Sequence, residues 1–242
     1  MLECNTILYL LLGSVGAAFV QRVSGFGFGI FIMTILPYVM PSYGEATTLS
    51  GLMALVTSMI IATKMYRFLQ WRKLLPILIT FLVVSYFSVW FVALASDGLL
   101  KKILGAILIL ASIYFFYFSE RVKLRPTMTV QITMGVLSGI MGGLFGMQGP
   151  PAVLYFIACT ERKEEYMAMA QTYFLVGNSI MTLYRAQNGF LTESVGMAWC
   201  YGVPAVLLGT WLGTLVFRRI SVNMLRKIIY VYMAISGVVA ML

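Results

Sequence analysis

Long apolar stretches separated by short polar turns make up most of this chain. Four of them, residues 74–95, 99–118, 195–217 and 224–242, are each close to the ~20 residues with which a helix crosses a hydrocarbon core. They are continuous and lack the apolar–polar alternation of barrel strands. A chain in lipid must satisfy its backbone hydrogen bonds internally, so this pattern predicts an all-α integral membrane fold.

Two further apolar segments are interrupted by glycines. Residues 6–40 contain the break QRVSGFGFG at 21–29, and residues 128–160 contain the break GGLFGMQGPP at 142–151. Each segment could cross the membrane once as a broken helix. Each could instead form a hairpin of two short helices that returns to its starting side.

The two halves of the chain resemble each other at a period of about 121 residues. Equivalent positions include Gly25 and Gly146, Glu45 and Glu165, Trp90 and Trp211, and the segments 100–103 and 225–228. Each half has a broken segment, an acidic turn and three unbroken spans, in that order. The sequence therefore predicts a single membrane domain, 1–242, made of repeats 1–120 and 121–242.

Charge counting separates the two readings of the breaks. If each break crosses once, the loops on the two sides carry eight Lys and Arg each. If each forms a hairpin, thirteen lie on one side, in loops near 64–73, 121–125, 162–163 and 218–227, and only Lys101, Lys102 and Arg185 lie on the other. The second distribution is the one expected from the positive-inside rule. The prediction is two inverted repeats of five helices, each starting with a broken re-entrant hairpin, with both termini outside.

The composition supports a chain embedded in lipid and argues against a nucleic-acid partner. Hydrophobic residues make up 61% and charged residues 10% of the chain, and the mean hydropathy is +0.93, whereas about 25% of the residues in a soluble domain are charged. The net charge of +9 lies mostly in the loops, so it indicates membrane orientation rather than nucleic-acid binding. Residues 1–20 could pass for a signal peptide, but they lack Lys and Arg. Because the second half contains a counterpart, they are expected to belong to the mature fold.

The two breaks are the candidate anion site. The second helix of each hairpin would begin at its tip, so that two positive helix N-termini point into one midplane cavity, and glycines let a ligand approach the backbone. The alternative is that the glycines only permit close helix packing, which is the interpretation of Gly139, Gly143, Gly209 and Gly213. The candidate binding residues are Gln21, Arg22, Gly25, Gly27, Gly29, Gly146, Gln148, Gly149, Pro150, Pro151 and Asn178.

Arg22 is the one basic residue far from a predicted loop, where a charge costs roughly 2.5–3.5 kcal/mol. It could bind the anion, extend to the interface, or pair with Glu45. Asn178, like other polar residues on its span, could equally join helices. Glu45 and Glu165 could carry a coupling proton or only begin helices.

No enzyme, metal or cofactor site is indicated. The three cysteines are far apart, the chain has no histidine, and it contains no P-loop. A secondary transporter with a midplane site is the predicted class. A membrane-embedded scaffold without transport is the rival. An intramembrane enzyme is weaker, since no nucleophile–base pair is visible.

The segments GFGFG at 25–29 and GGLFGMQGPP at 142–151 resemble the two signature regions of the TauE/SafE family of sulfite and organosulfonate exporters. The resemblance extends to chain length and to the two-half layout. It implies export of a small anion, such as sulfite or a sulfonate, across a prokaryotic plasma membrane. Other small organic anions are alternative substrates, and a homodimer is compatible with the sequence.

Overall fold

The computed structural model describes residues 4–118 and 126–216, together with Ile235 and Val238. Within those residues the chain is helical and has no strand. The helices are α1 Cys4–Ser24, α2 Phe28–Ile32, α3 Leu36–Val39, α4 Tyr43–Met65, α5 Trp71–Leu94, α6 Asp97–Phe118, α7 Met128–Phe145, α8 Gly149–Cys159, α9 Lys163–Gln187 and α10 Glu193–Val216, with a short 3-10 helix at Tyr66–Phe68. Three predicted spans are confirmed as helices α5, α6 and α10. The predicted span 224–242 and its segment 225–228 lie outside the described residues.

Five of the described helices, α1, α4, α5, α7 and α10, are long and apolar enough to cross a membrane. Their outward faces carry large apolar side chains. Phe87 and Trp90 on α5 and Trp211 on α10 are each about half exposed. An aqueous surface would not favour so many exposed apolar groups, whereas lipid solvates them.

Each break reverses the direction of the chain. After α1, Gly25 and Gly27 adopt positive φ of 84° and 97°, and α2 and α3 then fold back so that Phe31 packs on Gly16. After α7, Gly146 adopts φ 66°, and α8 folds back along α7. Left-handed backbone of this kind is open to glycine at little steric cost.

The first helix of each reversal is longer than the sequence predicted. Two short helices were expected at each break, but α1 has 21 residues and α7 has 18. Neither helix contains an internal proline, so each continues until the first left-handed glycine. The second arms are short, since α8 has 11 residues and the first half divides its arm between α2 and α3.

Helix packing between the halves is reciprocal. Helix α1 packs on α10, and α7, which the predicted repeat pairs with α1, packs on α5. Helices α4 and α9 pack against each other and run antiparallel. Thr47 near the start of α4 meets Arg185 near the end of α9, while Gln21 joins Ser58, further along α4, to Gln171, nearer the start of α9.

The loops collect at two ends of the helix bundle. At one end, the Arg162 guanidinium stacks 5.3 Å from the Phe68 ring, and the Lys73 ammonium donates to the Cys159 carbonyl at 2.7 Å. The starts of α4 and α6 meet at the other end, where Asp97 accepts the Tyr43 N–H at 3.0 Å. The segments around 64–73 and 161–165, predicted to lie on one side of the membrane, therefore lie at the same end of the bundle.

Candidate functional site

The two breaks are in direct contact. A side chain on Gly29 would overlap the carbonyl oxygen of Gly146 and would lie 3.5 Å from the Cα of Met147. Both glycines belong to breaks at equivalent places in the two halves. The closest approach between the breaks is therefore backbone against backbone, which requires residues without a β-carbon.

A small cavity of about 30 Å³ lies at this contact. Roughly 10–15 Å³ of such space holds one water, so the cavity suits a ligand of few atoms. Its walls are formed by both breaks and by residues of α4 and α9. They comprise Gln21, Gly27, Phe28, Gly29, Ile30, Ala54, Gly146, Met147, Gln148, Gly149, Pro150, Phe174 and Asn178. Eight of the eleven residues predicted from sequence are among them.

Three predicted residues do not line this cavity. Gly25 lies behind it, where its carbonyl accepts a hydrogen bond from Gln171 at 2.8 Å. Pro151 faces an apolar cavity of about 330 Å³ between α6, α7 and α8. Arg22 is half-buried and points toward α10, where its Nε donates to the Thr214 hydroxyl at 2.9 Å. Arg22 turns away because Gln21, its neighbour, occupies the inward face at the end of α1.

Gln21 fastens the first break to both long inner helices. Its buried side-chain amide donates to the Ser58 hydroxyl of α4 and to the Gln171 oxygen of α9, both at 3.1 Å. Gln171 in turn holds the Gly25 carbonyl. These linked side chains fix the position of one cavity wall. Gln171 is one of the polar residues on the span of Asn178, for which the sequence allowed either helix packing or ligand binding.

Gln148 occupies the corresponding place in the second break, immediately before α8. Its carbonyl accepts a hydrogen bond from Ser138, whose hydroxyl accepts one from Tyr173 at 2.7 Å. Its side-chain oxygen is buried and has no hydrogen-bond partner. A buried unsatisfied amide is costly, and a flip of the amide would instead present two N–H donors. Gln148 therefore has unused hydrogen-bonding capacity beside the cavity.

The start of α8 faces the cavity through Gly149 and Pro150. The first N–H groups of a helix have no partner within the helix. Pro150 and Pro151 lack this N–H, and in a regular helix the Ala152 N–H donates to the Gln148 carbonyl four residues earlier. Gly149 therefore keeps the free N–H of the first turn at the cavity. The helix dipole still places partial positive charge at this end, and together with the Gly149 N–H it favours an anion.

Glycines within the long helices α7 and α10 serve helix packing. A side chain on Gly139 or Gly143 would press into α5, against Val84 or Ser88. One on Gly209 would meet the backbone of Val15 on α1. These contacts match the packing role that the small-residue spacing predicted.

The burial of one residue, Arg185, was not predicted from the sequence. Arg185 was counted among loop charges, yet it is 1% exposed and lies in the last turn of α9. A basic residue near a helix end is usually solvated, so its burial has no signal in the local sequence. Its burial depends on distant segments that fold around it.

Comparison with known proteins identifies the family. The model of the sulfite exporter TauE/SafE family matches residues 9–240. The chain belongs to the TauE/SafE family. It is 26% identical over 219 residues to a protein of Cupriavidus necator named as a probable sulfite/organosulfonate exporter TauE, and the match covers 85% of this chain and 81% of that protein. No solved structure gives a significant match. Both breaks lie within the range matched to the TauE/SafE family.

Proposed function

We propose that this protein is a secondary transporter that exports a small oxyanion, sulfite or a small organosulfonate, across a prokaryotic plasma membrane. The observation that carries the proposal is the cavity formed jointly by the two breaks. Membership in the TauE/SafE family and the name of the Cupriavidus necator relative supply the substrate class. Neither an enzyme activity nor a resident cofactor is part of the proposal.

The proposed binding site uses neutral donors around the anion. The free N–H at the start of α8 and the side chains of Gln21, Gln148 and Asn178 surround the cavity. Neutral donors in a desolvated space hold an anion without the permanent charge that would retain it too strongly for release. The volume of about 30 Å³ favours a compact ion such as sulfite over a long-chain sulfonate in this conformation.

Alternating access is the proposed mechanism. The reciprocal packing of α1 on α10 and α7 on α5, with α4 antiparallel to α9, is what two halves related by an axis in the membrane plane would give. Exchanging the conformations of two such halves would open the cavity first to one side and then to the other. The breaks would stay near the centre, because they meet where the halves meet.

Orientation follows from the charges. We propose that the end containing Arg67, Lys73 and Arg162 is cytoplasmic and that the starts of α4 and α6 face outward, with both termini outside. Burial of Arg185 removes one of the three basic residues assigned to the outer loops. The proposed outer loops then keep Lys101 and Lys102 as their basic residues, so the charge bias becomes larger.

Purified protein in sealed vesicles tests the function. Radiolabelled sulfite should cross the membrane saturably, and unlabelled sulfite and sulfoacetate should compete, while phosphate and acetate should compete less. Sulfite should also raise the melting temperature, since a ligand that binds only the folded state at a hundredfold excess over Kd stabilises it by about 2.7 kcal/mol. A scaffold would show neither flux nor a shift, and selective flux of another anion would correct the substrate.

A further inference from the structure

Arg185 joins three helices in the interior of the protein. Its Nη1 donates to the Thr47 carbonyl of α4 at 2.9 Å, and its Nη2 donates to the Gly142 carbonyl of α7 at 3.0 Å. Thr47 belongs to the first half of the chain, and Gly142 belongs to the second break. The guanidinium therefore lies where both halves meet, directly behind the tip that lines the cavity.

The charge of Arg185 is not matched by a carboxylate in the described part of the chain, where the ion pair present is that of Arg162 with Glu164. Two of its five N–H groups are accounted for by carbonyls, and its Nε is buried without a hydrogen-bond partner. A buried charge without a counter-ion is strongly unfavourable. Its partner carbonyls supply dipoles but no negative charge.

A purely structural role does not account for a charge at this position. The Gly142 carbonyl already accepts the Gly146 N–H at 3.0 Å, so it does not need a second donor. A neutral amide could also bridge two carbonyls. At the offset of 120 residues that pairs Glu45 with Glu165, Arg185 corresponds to Met65, and the neighbouring cation Lys64 is exposed at the end of α4. The symmetry of the fold therefore does not require a buried cation here.

The surroundings connect Arg185 to the cavity. A β-carbon on Gly51 would lie 3.1 Å from the Arg185 Nη1 and 3.5 Å from the Asn178 side-chain oxygen. Asn178 lines the cavity. The guanidinium and a side chain of the cavity wall therefore both lie next to Gly51, which has no side chain to separate them. The hydroxyl of Tyr43, at the start of α4, is also buried without a hydrogen-bond partner. Unused donors thus extend from the cavity toward the end at which α4 begins.

We propose that Arg185 is a second binding position for the transported oxyanion, between the break cavity and the end of the bundle where α4 begins and α9 ends. The inference rests on the proposed transport function. In this conformation two carbonyls hold the guanidinium, and the packing of Phe190 on Gly44 closes that end. When α4 and α9 separate there, the anion replaces the carbonyls, and the planar fork of Arg185 grips two of its oxygens.

The test compares Arg185→Gln and Arg185→Lys with Lys64→Gln, the matched change of a cation next to the repeat-equivalent position in α4. Each protein is purified, reconstituted and measured for sulfite flux and for melting temperature with and without sulfite. Arg185→Gln should raise the KM for sulfite about tenfold and abolish most of the sulfite-induced shift. Arg185→Lys should fall between the two, because lysine keeps the charge but lacks the fork. Lys64→Gln should keep the wild-type KM.

Separate outcomes contradict the inference and the transport proposal. Absence of sulfite flux in the wild-type protein refutes the transport proposal on which the inference rests. Wild-type flux together with an unchanged KM and an unchanged sulfite-induced shift in Arg185→Gln refutes the inference, and a lower melting temperature would then assign Arg185 to structure alone. If Arg185→Gln does not fold, a wild-type KM in Arg185→Lys refutes the proposed bidentate grip.

Discussion

Gly149 is a cavity residue at which an added methyl group would make no contact closer than 3.6 Å with residues other than its chain neighbours. A β-carbon there would make ordinary contacts at 3.6 Å with Phe174 and Phe26. Phe174 also lines the cavity, so the added methyl would occupy space that the ligand needs. Gly29 differs, since its side chain would overlap the Gly146 carbonyl. Substitution at Gly149 can therefore separate binding from folding, whereas substitution at Gly29 affects both.

Gly149→Ala is expected to raise the KM for sulfite several-fold while the melting temperature without ligand stays near the wild-type value. The reason is steric, because the methyl narrows a cavity of about 30 Å³ beside the first donor of α8. Sulfite flux in vesicles and thermal melting measure the two effects. Gly196→Ala is the control, since a β-carbon at Gly196 would meet nothing within 4 Å. Wild-type flux in Gly149→Ala would show that the anion does not bind beside Gly149.

Arg22→Gln is expected to leave the KM for sulfite unchanged. Arg22 reaches the Thr214 hydroxyl of α10 and does not line the cavity. Loss of that contact should at most lower the melting temperature, and Thr214→Ala, which removes the same hydrogen bond, should lower it to a similar extent. A tenfold higher KM in Arg22→Gln alone would show that Arg22 reaches the anion in another conformation.

At the scale of helices, glycines hold the two halves together by close backbone approach. Gly209 brings α10 onto the backbone of α1 at Val15, and Gly139 brings α7 onto α5 at Val84. Each interface joins a helix of residues 1–120 to a helix of residues 121–242. Their glycines therefore contribute to stability through packing, in contrast to the glycines of the breaks.

Gly209→Ala is expected to destabilise the fold, by roughly the 1–3 kcal/mol typical of overpacking, because the methyl would collide with the Val15 carbonyl. Melting temperature should fall, whereas the KM of the protein that remains folded should not change. Gly196→Ala on the same helix controls for alanine in α10. A changed KM with an unchanged melting temperature would assign Gly209 to the site instead of the interface.

The sequence predicted the helices and the location of both breaks because these depend on local chemistry. Long apolar runs form helices in lipid, and GFGFG and GGLFGMQGPP interrupt them with glycines. Gly25 and Gly27 in the first break and Gly146 in the second adopt left-handed backbone. The sequence could not predict the direction in which an individual side chain points. Arg22 faces α10 and Arg185 faces inward because Thr214, Thr47 and Gly142, all distant in sequence, accept their hydrogen bonds.

At the scale of the whole molecule, the relation between the halves decides the mechanism. Helices α4 and α9, which the predicted repeats place at equivalent positions, run antiparallel. The loop after α4 contains Arg67 and shares an end with Arg162, whereas the loop after α9 contains Phe190 and lies against Gly44 at the other end. Equivalent loops thus lie at opposite ends of the bundle, and in a membrane-spanning bundle they should face opposite aqueous compartments.

Cysteine labelling in intact cells tests this inverted arrangement. The native residues Cys4, Cys159 and Cys200 are first replaced by serine, and retained sulfite flux serves as the control for folding. A single cysteine is then placed at Arg67 or at Leu191, which follow equivalent helices. We expect an impermeant maleimide to label Leu191→Cys from outside and to label Arg67→Cys only after the membrane is permeabilised, because the basic end should be cytoplasmic.

Labelling of both from the same side would mean that the halves are not inverted, and the alternating-access mechanism based on exchange of the halves would have to be abandoned. Labelling from opposite sides in the reverse sense would keep the inverted halves but overturn the orientation inferred from the charges.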